Sequence, residues 1–331
     1  MSARIVAANT ATIARAAALL RAGELVAFPT ETVYGLGADA GNADAVRRIF
    51  AAKGRPADHP VIVHLAEPAD VAQWARAVPE AARRLAAAFW PGPLTLILPR
   101  AAHVSDAVTG GQDSVGLRVP SHPVARALLA TFDGGIAAPS ANRYGRISPT
   151  TAAHVADDLG DAVALILDGG ASDVGIESTI VACTRDDPVL LRPGGIGVDA
   201  LARALGRAPR APDVDAPRAS GTLASHYAPG TPALLVAPEA LAAGIAALAA
   251  QAKRVAVLAR TVARPAAGGP VWIAAPIDAA GYAHDLYVNL RALDAAKAGV
   301  IVIEAVPAGD AWLAVRDRLA RATRGEDDDR D

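Results

Sequence analysis

The sequence predicts a protein of the α/β class with two domains, a larger one on a twisted, mixed open sheet and a smaller one on a parallel sheet. The chain has 331 residues, which is long for one core because a domain usually contains roughly 100–200 residues. Apolar runs of strand length alternate with segments of helical periodicity along most of the chain. Residues 207–231 are rich in Pro, Ala and small polar residues, a composition typical of a linker.

These patterns divide the chain into four segments. The larger domain is predicted at 1–206, the linker at 207–231, the smaller domain at 232–325, and a disordered acidic tail at 326–331. Helices and strands are mixed in the larger domain, with hairpins late in it, which favours a mixed sheet. Strands and helices alternate in the smaller domain, and this order is typical of parallel sheets.

A polar loop of the larger domain lies between its first strand and its second helix. A helix capped by Thr10 leads through an apolar strand into residues 30–37, which are dense in hydroxyl groups and glycine. Asn42 then caps a helix from Ala43 to Lys53, and a glycine ends it. A loop of this composition can wrap a small polar ligand.

Further along, two strands bring polar residues to places where a ligand could bind. The alternation in 114–120 puts Ser114 and Arg118 on a polar face that can line a cavity. A strand at 135–138 ends at the sequence PSAN, and strand ends are where open α/β sheets hold ligands. The other elements predicted in this domain are helices at 69–77, 79–89, 123–131 and 150–159 and strands at 25–28, 61–65, 95–98, 163–167, 179–182 and 189–191.

The smaller domain is predicted from four apolar strands separated by helical segments. The strands are expected at 233–236, 254–258, 271–274 and 300–304, with helices at 238–251, 278–296 and 311–323. The most apolar stretch, 233–250, contains proline, glutamate and glycine, so it predicts a strand, a turn and a packed helix, and no membrane span.

Composition excludes several functional classes. The formal net charge is −2 and neither domain is globally basic, which argues against a protein whose main affinity is for a nucleic-acid backbone. The single cysteine, Cys183, excludes an intrachain disulfide and a cysteine-cluster metal site. No secretory signal is evident, and we expect a cytoplasmic protein.

Lys53 and Arg55 are the first candidates for ligand binding. They follow the polar loop at the end of its helix, and two cations at a loop mouth suit phosphates. The chain contains only three lysines, so a general preference for lysine does not explain Lys53. Cations are also favoured at any helix C-terminus by the helix dipole. On this stretch alone the two explanations are equally good.

Three further motifs change that balance. They are PSAN at 139–142, GIESTIV at 175–181 and LRPGGI at 191–196. Together with FPTETVYGLGAD and KGRPADHPVIVHL in 28–65, they resemble the threonylcarbamoyl-AMP synthase family, across essentially the whole chain. The KxR…SxN signature of that family corresponds here to Lys53, Arg55, Ser140 and Asn142.

The resemblance implies a fold and a reaction. The fold is a YrdC-like twisted mixed sheet with a concave ligand cleft, then a linker over the active site and a small Rossmann-like parallel domain. The reaction joins L-threonine, bicarbonate or CO2, and ATP into threonylcarbamoyl-AMP, with release of pyrophosphate. Mg²⁺ is expected with ATP and no protein-only metal site is expected. Downstream tRNA-modifying transferase proteins would use the product, and direct tRNA binding is expected to be weak or absent.

The resemblance also implies roles for individual residues. The residues expected to act in catalysis are Lys53, Arg55, Ser140 and Asn142. Those expected to bind ATP are Arg55, His59, Ser114, Ser140, Ser148, Arg192 and Tyr227. Those expected to bind L-threonine are Thr32, His64, Arg118, Ala138 and Ser178. Taken singly, each serine is more often a loop cap, and His64 is more often a structural residue.

The sequence departs from the family pattern at two places, and two alternative functions stay open. His59 stands where asparagine is more usual in this family, and the linker lacks the basic residues of many relatives. An RNA-binding or ribosome-associated factor could use the same cleft, although few aromatic residues and near-neutral charge argue against it. A carbamoyl-transfer domain of a hydrogenase-maturation protein shares the fold, but it would need accessory regions that this sequence lacks.

Overall fold

The structure is a computed structural model that describes residues 5–221, 226–265 and 270–324. The chain forms two compact units, one of Met1–Tyr144 with Ser148–Thr222 and one of Gly145–Ile147 with Leu223–Asp331. The division therefore falls inside the predicted linker at 207–231. The predicted acidic tail at 326–331 lies outside the described residues.

The first unit is built on one mixed sheet. Its strands are β1 (Ile5–Ala7), β2 (Val26–Phe28), β3 (Gly35–Asp39), β4 (Ile62–His64), β5 (Leu94–Pro99), β6 (Ser114–Arg118), β7 (Ile136–Ala137), β8 (Leu165–Asp168), β9 (Thr179–Ala182) and β10 (Val189–Arg192). They lie in the order β1-β8-β2-β3-β7-β4-β6-β5-β9-β10. The sheet contains parallel pairs, such as β4 with β6, and antiparallel pairs, such as β5 with β6. The predicted mixed sheet is confirmed.

Helices cover this sheet and bury its apolar residues. They are α1 (Thr10–Arg21), α2 (Ala43–Lys53), α3 (Val71–Trp74), α4 (Glu80–Phe89), α5 (Asp106–Thr109), α6 (Pro123–Phe132), α7 (Ala152–Leu159) and α8 (Val198–Leu205). Its apolar clusters include a large one with Leu36, Ile49 and Leu117, a second with Leu20, Phe28 and Leu129, and a smaller one with Ile97 and Ile180. Because strands of the centre are buried on both faces, the polar side chains of β6 are buried as well.

Helix α2 confirms its prediction at both ends. The Asn42 side chain accepts hydrogen bonds from the backbone of Asp44 and Ala45, and Gly54 is the left-handed C-cap. The predicted cap of α1 is wrong by one residue. Asn9 is the cap, and its side chain and that of Thr12 form a reciprocal capping box, so Thr10 is the first helical residue.

The predicted polar loop at 30–37 is shorter than expected, because Gly35 and Gly37 belong to β3. This strand pairs antiparallel with β2. A Cβ atom at Gly37 would lie 2.9 Å from the Phe28 ring and 3.1 Å from the Val26 carbonyl oxygen. The glycines thus serve close packing in a sheet, where their presence had suggested a loop.

The second unit has an all-parallel sheet, as predicted. Its strands β11 (Ala233–Val236), β12 (Val255–Ala259), β13 (Val271–Ala274) and β14 (Val300–Glu304) lie in the order β11-β14-β12-β13, with helices α9 (Leu241–Ala250), α10 (Ala279–Ala295) and α11 (Leu313–Ala322). Glu304, at the end of β14, is buried and accepts hydrogen bonds from the backbone of Arg260, Thr261 and Val262.

The described first half of the predicted linker is bound to the first unit. Arg210 exchanges backbone hydrogen bonds of 2.9 Å with Leu190 and Pro188, which extends the sheet edge at β10. The backbone N–H of Arg218 donates to the side chain of Gln112 at 2.7 Å. Its composition predicted a tether, but this segment is fixed through residue 220 by hydrogen bonds to the sheet and its loops.

Candidate active site

Lys53 is buried at the end of α2 and is bound to the PSAN turn. Its Nζ donates to the backbone oxygen of Ser140 at 2.6 Å and to that of Asn142. Burial, and then the charge of Arg55, lower the pKa of Lys53 well below its usual value. The structure therefore brings together Lys53, Ser140 and Asn142, as the signature predicts. The contact it shows is from the amine to two backbone carbonyls, which fixes the turn.

Arg55 and Arg192 converge on Ser220 of the linker. The Nη2 of Arg55 donates to the carbonyl of Pro60 at 2.8 Å and to the Ser220 hydroxyl at 3.0 Å. The Nη1 of Arg192 donates to the backbone oxygen of Ser220 at 2.7 Å. Both side chains are buried. Two guanidinium groups therefore meet around one residue, an arrangement suited to binding phosphate oxygens.

Arg192 also binds Ser178, and the local sequence explains why. Its Nε and Nη2 donate to the Ser178 backbone oxygen at 3.1 and 3.0 Å, and Nη2 donates to the hydroxyl at 3.1 Å. A Cβ at Gly194 would lie 2.3 Å from the Thr179 nitrogen, so only glycine lets LRPGGI pack against GIEST. Ser178, from the predicted threonine set, thus contacts Arg192, from the predicted ATP set.

The remaining residues predicted to bind ATP in the first unit have partners of several kinds. The Nδ1 atom of the His59 ring lies 3.2 Å from the hydroxyl oxygen of Tyr144. Partial burial, and then the charge of Arg55, lower the pKa of His59 below its usual value, which favours the neutral ring. Ser148 is buried and donates to the carboxylate of Glu177.

Ser114 lines an open cavity of about 540 Å³. Its walls include Arg76, Asp113 and Arg185 together with residues 214–217 of the linker. Arg76 and Asp113 form an ion pair at 2.7 Å. The cavity is therefore polar, and it lies beside the linker segment that leads to Ser220.

Arg118 joins the polar loop after β2. Its Nη1 donates to the Thr32 hydroxyl at 2.8 Å, and its Nη2 lies 2.8 Å from a carboxylate oxygen of Glu31. Burial alone would raise the pKa of Glu31, but the charge and hydrogen bond of Arg118 outweigh it and hold that pKa below its usual value. Thr30 supports the loop, with its hydroxyl 2.8 Å from that of Thr32.

His64, Ala138 and Ser178 complete the predicted threonine set. His64 is aligned with Arg118 across the parallel pair of β4 and β6. Burial, and then the charge of Arg118, lower the pKa of His64 to about 3, so this imidazole is neutral at physiological pH. The Ala138 N–H donates to the Ile62 carbonyl at 2.9 Å. The hydroxyl of Ser178 lies 2.8 Å from that of Thr95 in β5.

Tyr227, also predicted to bind ATP, belongs to the second unit. Its ring is buried, with its centroid 5.8 Å from that of Tyr287 and 5.2 Å from the guanidinium carbon of Arg318. Its φ of 62° is a left-handed conformation that is uncommon for a residue other than glycine. Its role in ATP binding stays a prediction.

Four polar residues of this region, three of them buried and Ser220 half-buried, escaped the prediction of site residues. They are Glu31, Thr95, Glu177 and Ser220. Glu31 and Glu177 lie in the motifs PTET and GIEST, next to apolar residues. Because carboxylates are rarely buried without a partner, their positions could have indicated site residues. Thr95 is an isolated hydroxyl in an apolar strand. The contacts of Ser220 could not be predicted from the local sequence, because its partners lie 165 and 28 residues away along the chain.

The part of the chain that the structure describes contains no group of three or more His, Cys, Asp or Glu residues that could hold a metal ion. Within the same described residues, no helix has the length and apolar character needed to cross a membrane.

Comparisons with protein families match both units. A family model described as telomere recombination matches residues 18–194. A second one, described as the C-terminal domain of threonylcarbamoyl-AMP synthase, matches residues 196–323. The two models together cover most of the chain.

Similar proteins and structures extend over nearly the full length. The threonylcarbamoyl-AMP synthase of Bacillus subtilis is 42% identical, with 96% of this chain and 94% of the relative aligned. That of Pyrococcus abyssi is 40% identical, with 93% of each aligned. The crystal structure of P. abyssi Sua5 complexed with L-threonine superposes with a TM-score of 0.89, at 38% identity and 96% coverage of both chains.

Proposed function

The chain belongs to the threonylcarbamoyl-AMP synthase family of enzymes, and we propose that it makes L-threonylcarbamoyl-AMP from L-threonine, ATP and bicarbonate or CO2. Pyrophosphate is the second product. The observation that carries the proposal is the contact of Arg192 with Ser178, because it joins the residues assigned to ATP with those assigned to threonine. The P. abyssi structure with L-threonine supports the choice of amino acid.

The proposed reaction requires positively charged side chains at the phosphates and correct placement of the two substrates. It needs no nucleophile from the protein. The threonine ammonium loses one proton to give the free amine, which adds to CO2, and a second proton leaves the nitrogen as the carbamate forms. A carbamate oxygen then attacks the α-phosphorus of ATP, and the bond from that phosphorus to the bridging oxygen of pyrophosphate breaks. Arg55 and Arg192 would neutralise the phosphate oxygens, while Lys53 holds the turn that presents Ser140 and Asn142.

Mg²⁺ is part of the same proposal. The described residues offer no cluster of protein ligands, and Mg²⁺ commonly keeps several waters and binds through substrate phosphates. The ion would accordingly be held mainly by ATP, where it supplies positive charge to the triphosphate. Arg55 and Arg192 would act on the phosphate oxygens that the ion leaves exposed.

The proposal places the enzyme in the cytoplasm, at the first step of the threonylcarbamoyl-adenosine modification of tRNA next to the anticodon. Downstream threonylcarbamoyl transferase proteins would take the product. A formal net charge of −2 supports weak or absent direct binding of tRNA by this chain.

The test is amino-acid-dependent release of pyrophosphate from ATP, Mg²⁺ and bicarbonate by the pure protein. Threonine should support release and valine should not, because a site that binds a substrate hydroxyl rejects an analogue lacking it by roughly 10⁴-fold or more. Serine, which keeps the hydroxyl, should be a poor substrate. Equal turnover of valine and threonine would refute the proposal, and salt-dependent tRNA binding without turnover would favour an RNA-binding factor.

A further inference from the structure

Two polar side chains of the second unit have buried atoms without a hydrogen-bond partner. Tyr282 is 1% exposed, and its hydroxyl makes no hydrogen bond. The Nε of Arg260 is also buried without a partner. The guanidinium makes one hydrogen bond to the described residues, a long one of 3.4 Å from Nη1 to the Ile277 carbonyl. Buried polar atoms of this kind are rare in folded proteins, and each calls for an explanation.

The two groups are neighbours around the ring of Trp312. The guanidinium carbon of Arg260 lies 5.2 Å from the centroid of that ring. The centroid of the Tyr282 ring lies 5.6 Å from it, edge to face. The contact with Trp312 explains the position of the guanidinium, because an indole face attracts a cation. It leaves the edge formed by Nε and Nη2 without an acceptor among the described residues.

The cluster lies at a place in the fold where parallel sheets hold ligands. Arg260 directly follows β12, and α10 begins at the same carboxyl edge of the sheet. Helical side chains lean toward the helix N-terminus, so Tyr282, the fourth residue of α10, points toward this edge. The chain leaves β12 for β13 on one side, and it leaves β14 for α11, which packs against β11 on the other. Connections that diverge in this way open a crevice between two strands.

The loop that carries Arg260 is held in place by the protein itself. Glu304, at the end of β14, accepts hydrogen bonds from the backbone of Arg260, Thr261 and Val262. Burial, and then the charge of Glu304, raise the pKa of Tyr282, so the phenol keeps its proton and can donate. The crevice thus presents a fixed guanidinium edge and a hydroxyl donor.

Charge narrows the class of ligand that suits these donors. Arg260 forms no ion pair with any carboxylate that the structure describes, so its positive charge is available to an anion. Asp278 caps α10, and Asp310 is exposed at the start of the turn before α11. Together with Glu304, these acids disfavour a doubly charged anion such as phosphate. A carboxylate carries one charge, and its two oxygens match the parallel N–H groups of Nε and Nη2.

We propose that the second unit binds the carboxylate group of a small organic acid between the ends of β12 and β14, through the Nε and Nη2 of Arg260 and the hydroxyl of Tyr282. Ile277 is 62% exposed beside the guanidinium and offers an apolar surface to the body of the acid. This site lies within the second unit, and its test does not depend on the proposed function.

The test is a titration of the full-length protein with propanoate, followed by the indole N–H signals in a nitrogen–proton NMR spectrum. The chain has four tryptophans, and Trp312→Phe identifies the signal of Trp312. Propanoate should shift that signal in a saturable way, and inorganic phosphate at equal ionic strength should not. A Trp312 signal that propanoate leaves unchanged would overturn the inference. So would phosphate binding as tight as that of propanoate.

Three variants distinguish a specific site from a general attraction of anions. Arg260→Ala should weaken propanoate binding at least about 10-fold, as for a lost charge-assisted pair. Tyr282→Phe should weaken it about 3- to 10-fold, as for one lost hydrogen bond. Arg254→Ala is the matched control, because Arg254 is exposed at the opposite end of β12, and its change should stay within about 2-fold. Equal losses in Arg254→Ala and Arg260→Ala, or no loss in Arg260→Ala, would contradict the proposed site.

A fourth variant keeps the test decisive if Arg260→Ala disturbs the loop. Arg260→Lys keeps the positive charge but has no planar fork, so it should also bind propanoate at least about 10-fold more weakly. The other three indole signals show in each variant whether the fold is intact. Full affinity in Arg260→Lys would refute the two-atom contact with the carboxylate and, with it, the inference.

Discussion

Arg55 and Arg192 are expected to contribute most to the binding of phosphate in this protein. Each guanidinium is buried and each is within hydrogen-bond distance of Ser220. In Arg55→Ala and Arg192→Ala, turnover should fall about 10²-fold or more, because each change removes a donor aimed at developing charge. Pyrophosphate release measures it, with circular dichroism to verify the fold.

Arg84→Ala is the matched control for these two variants. Arg84 is exposed on α4, and its ion pair with Glu80, at 3.3 Å, is exposed as well. Its loss should leave turnover near that of the wild type. Near-normal turnover in Arg55→Ala and Arg192→Ala would remove the phosphate role and leave both as structural residues.

His64 makes a testable contribution to acid sensitivity. Its pKa is about 3 in the folded protein and about 6.5 in an unfolded chain. Between these values only the unfolded state takes up the proton, so the free energy of unfolding falls as the pH falls below 6.5. The slope from this group is about 1.4 kcal/mol per pH unit. His64→Gln should flatten the urea-unfolding profile of the first unit between pH 6 and 4, and an unchanged slope would contradict the assignment.

At the scale of elements, the loop after β10 determines where Arg192 points. Gly194 packs against the backbone of Ser178 and Thr179, and the Thr179 hydroxyl exchanges hydrogen bonds of 3.1 Å with the backbone of Ile196. Gly194→Ala should displace this loop and lower turnover about 10²-fold, since misplacement of about 1 Å can cost that much. Gly197→Ala, where a Cβ meets nothing within 4 Å, should stay close to the wild type in the same assay.

The sequence predicted elements best where local chemistry determines them. Helix α2 was predicted with both ends correct because an Asn cap and a Gly stop are local signals. Strand β3 was missed because its glycines, required by the Phe28 ring beside Gly37, look the same in sequence as loop glycines. The contact of Ser220 with Arg55 could not be predicted, since it spans 165 residues and depends on the whole fold.

Lys53 shows the same limit within the candidate site. The signature predicted that Lys53, Ser140 and Asn142 lie together, and they do. It also predicted a lysine aimed at phosphate, and that role stays a prediction. The structure shows the amine bound to two backbone oxygens, a choice of acceptor that depends on how the PSAN turn folds and that no local pattern encodes.

At the scale of the whole molecule, the second unit takes up part of the segment predicted as a linker. Tyr227 is packed against Tyr287 and Arg318. Tyr227→Ala should lower the free energy of unfolding of this unit by about 3–5 kcal/mol, as for other buried aromatic residues. Tyr227→Phe, which keeps the ring, should cost about 1 kcal/mol or less. Urea unfolding measures both.

Tyr227→Phe also tests the predicted role of Tyr227 at the nucleotide. If Tyr227 acts only through packing, Tyr227→Phe should keep the wild-type ratio of threonylcarbamoyl-AMP recovered to pyrophosphate released. A lower ratio in Tyr227→Phe, with stability unchanged, would show that the hydroxyl helps to protect the labile product from water.

The position of Ser220 also affects the expected rate at which ATP binds. A hydroxyl and a carbonyl of the linker accept hydrogen bonds from the two guanidinium groups that we propose as phosphate ligands. Under that proposal, ATP capture would be a displacement reaction, in which hydrogen bonds within the protein are exchanged for hydrogen bonds to the triphosphate. Part of the intrinsic affinity would offset the broken hydrogen bonds, and the rate of binding would be limited by how often Ser220 leaves the two guanidinium groups. Stopped-flow measurements should therefore show an association rate that saturates as the concentration of ATP rises.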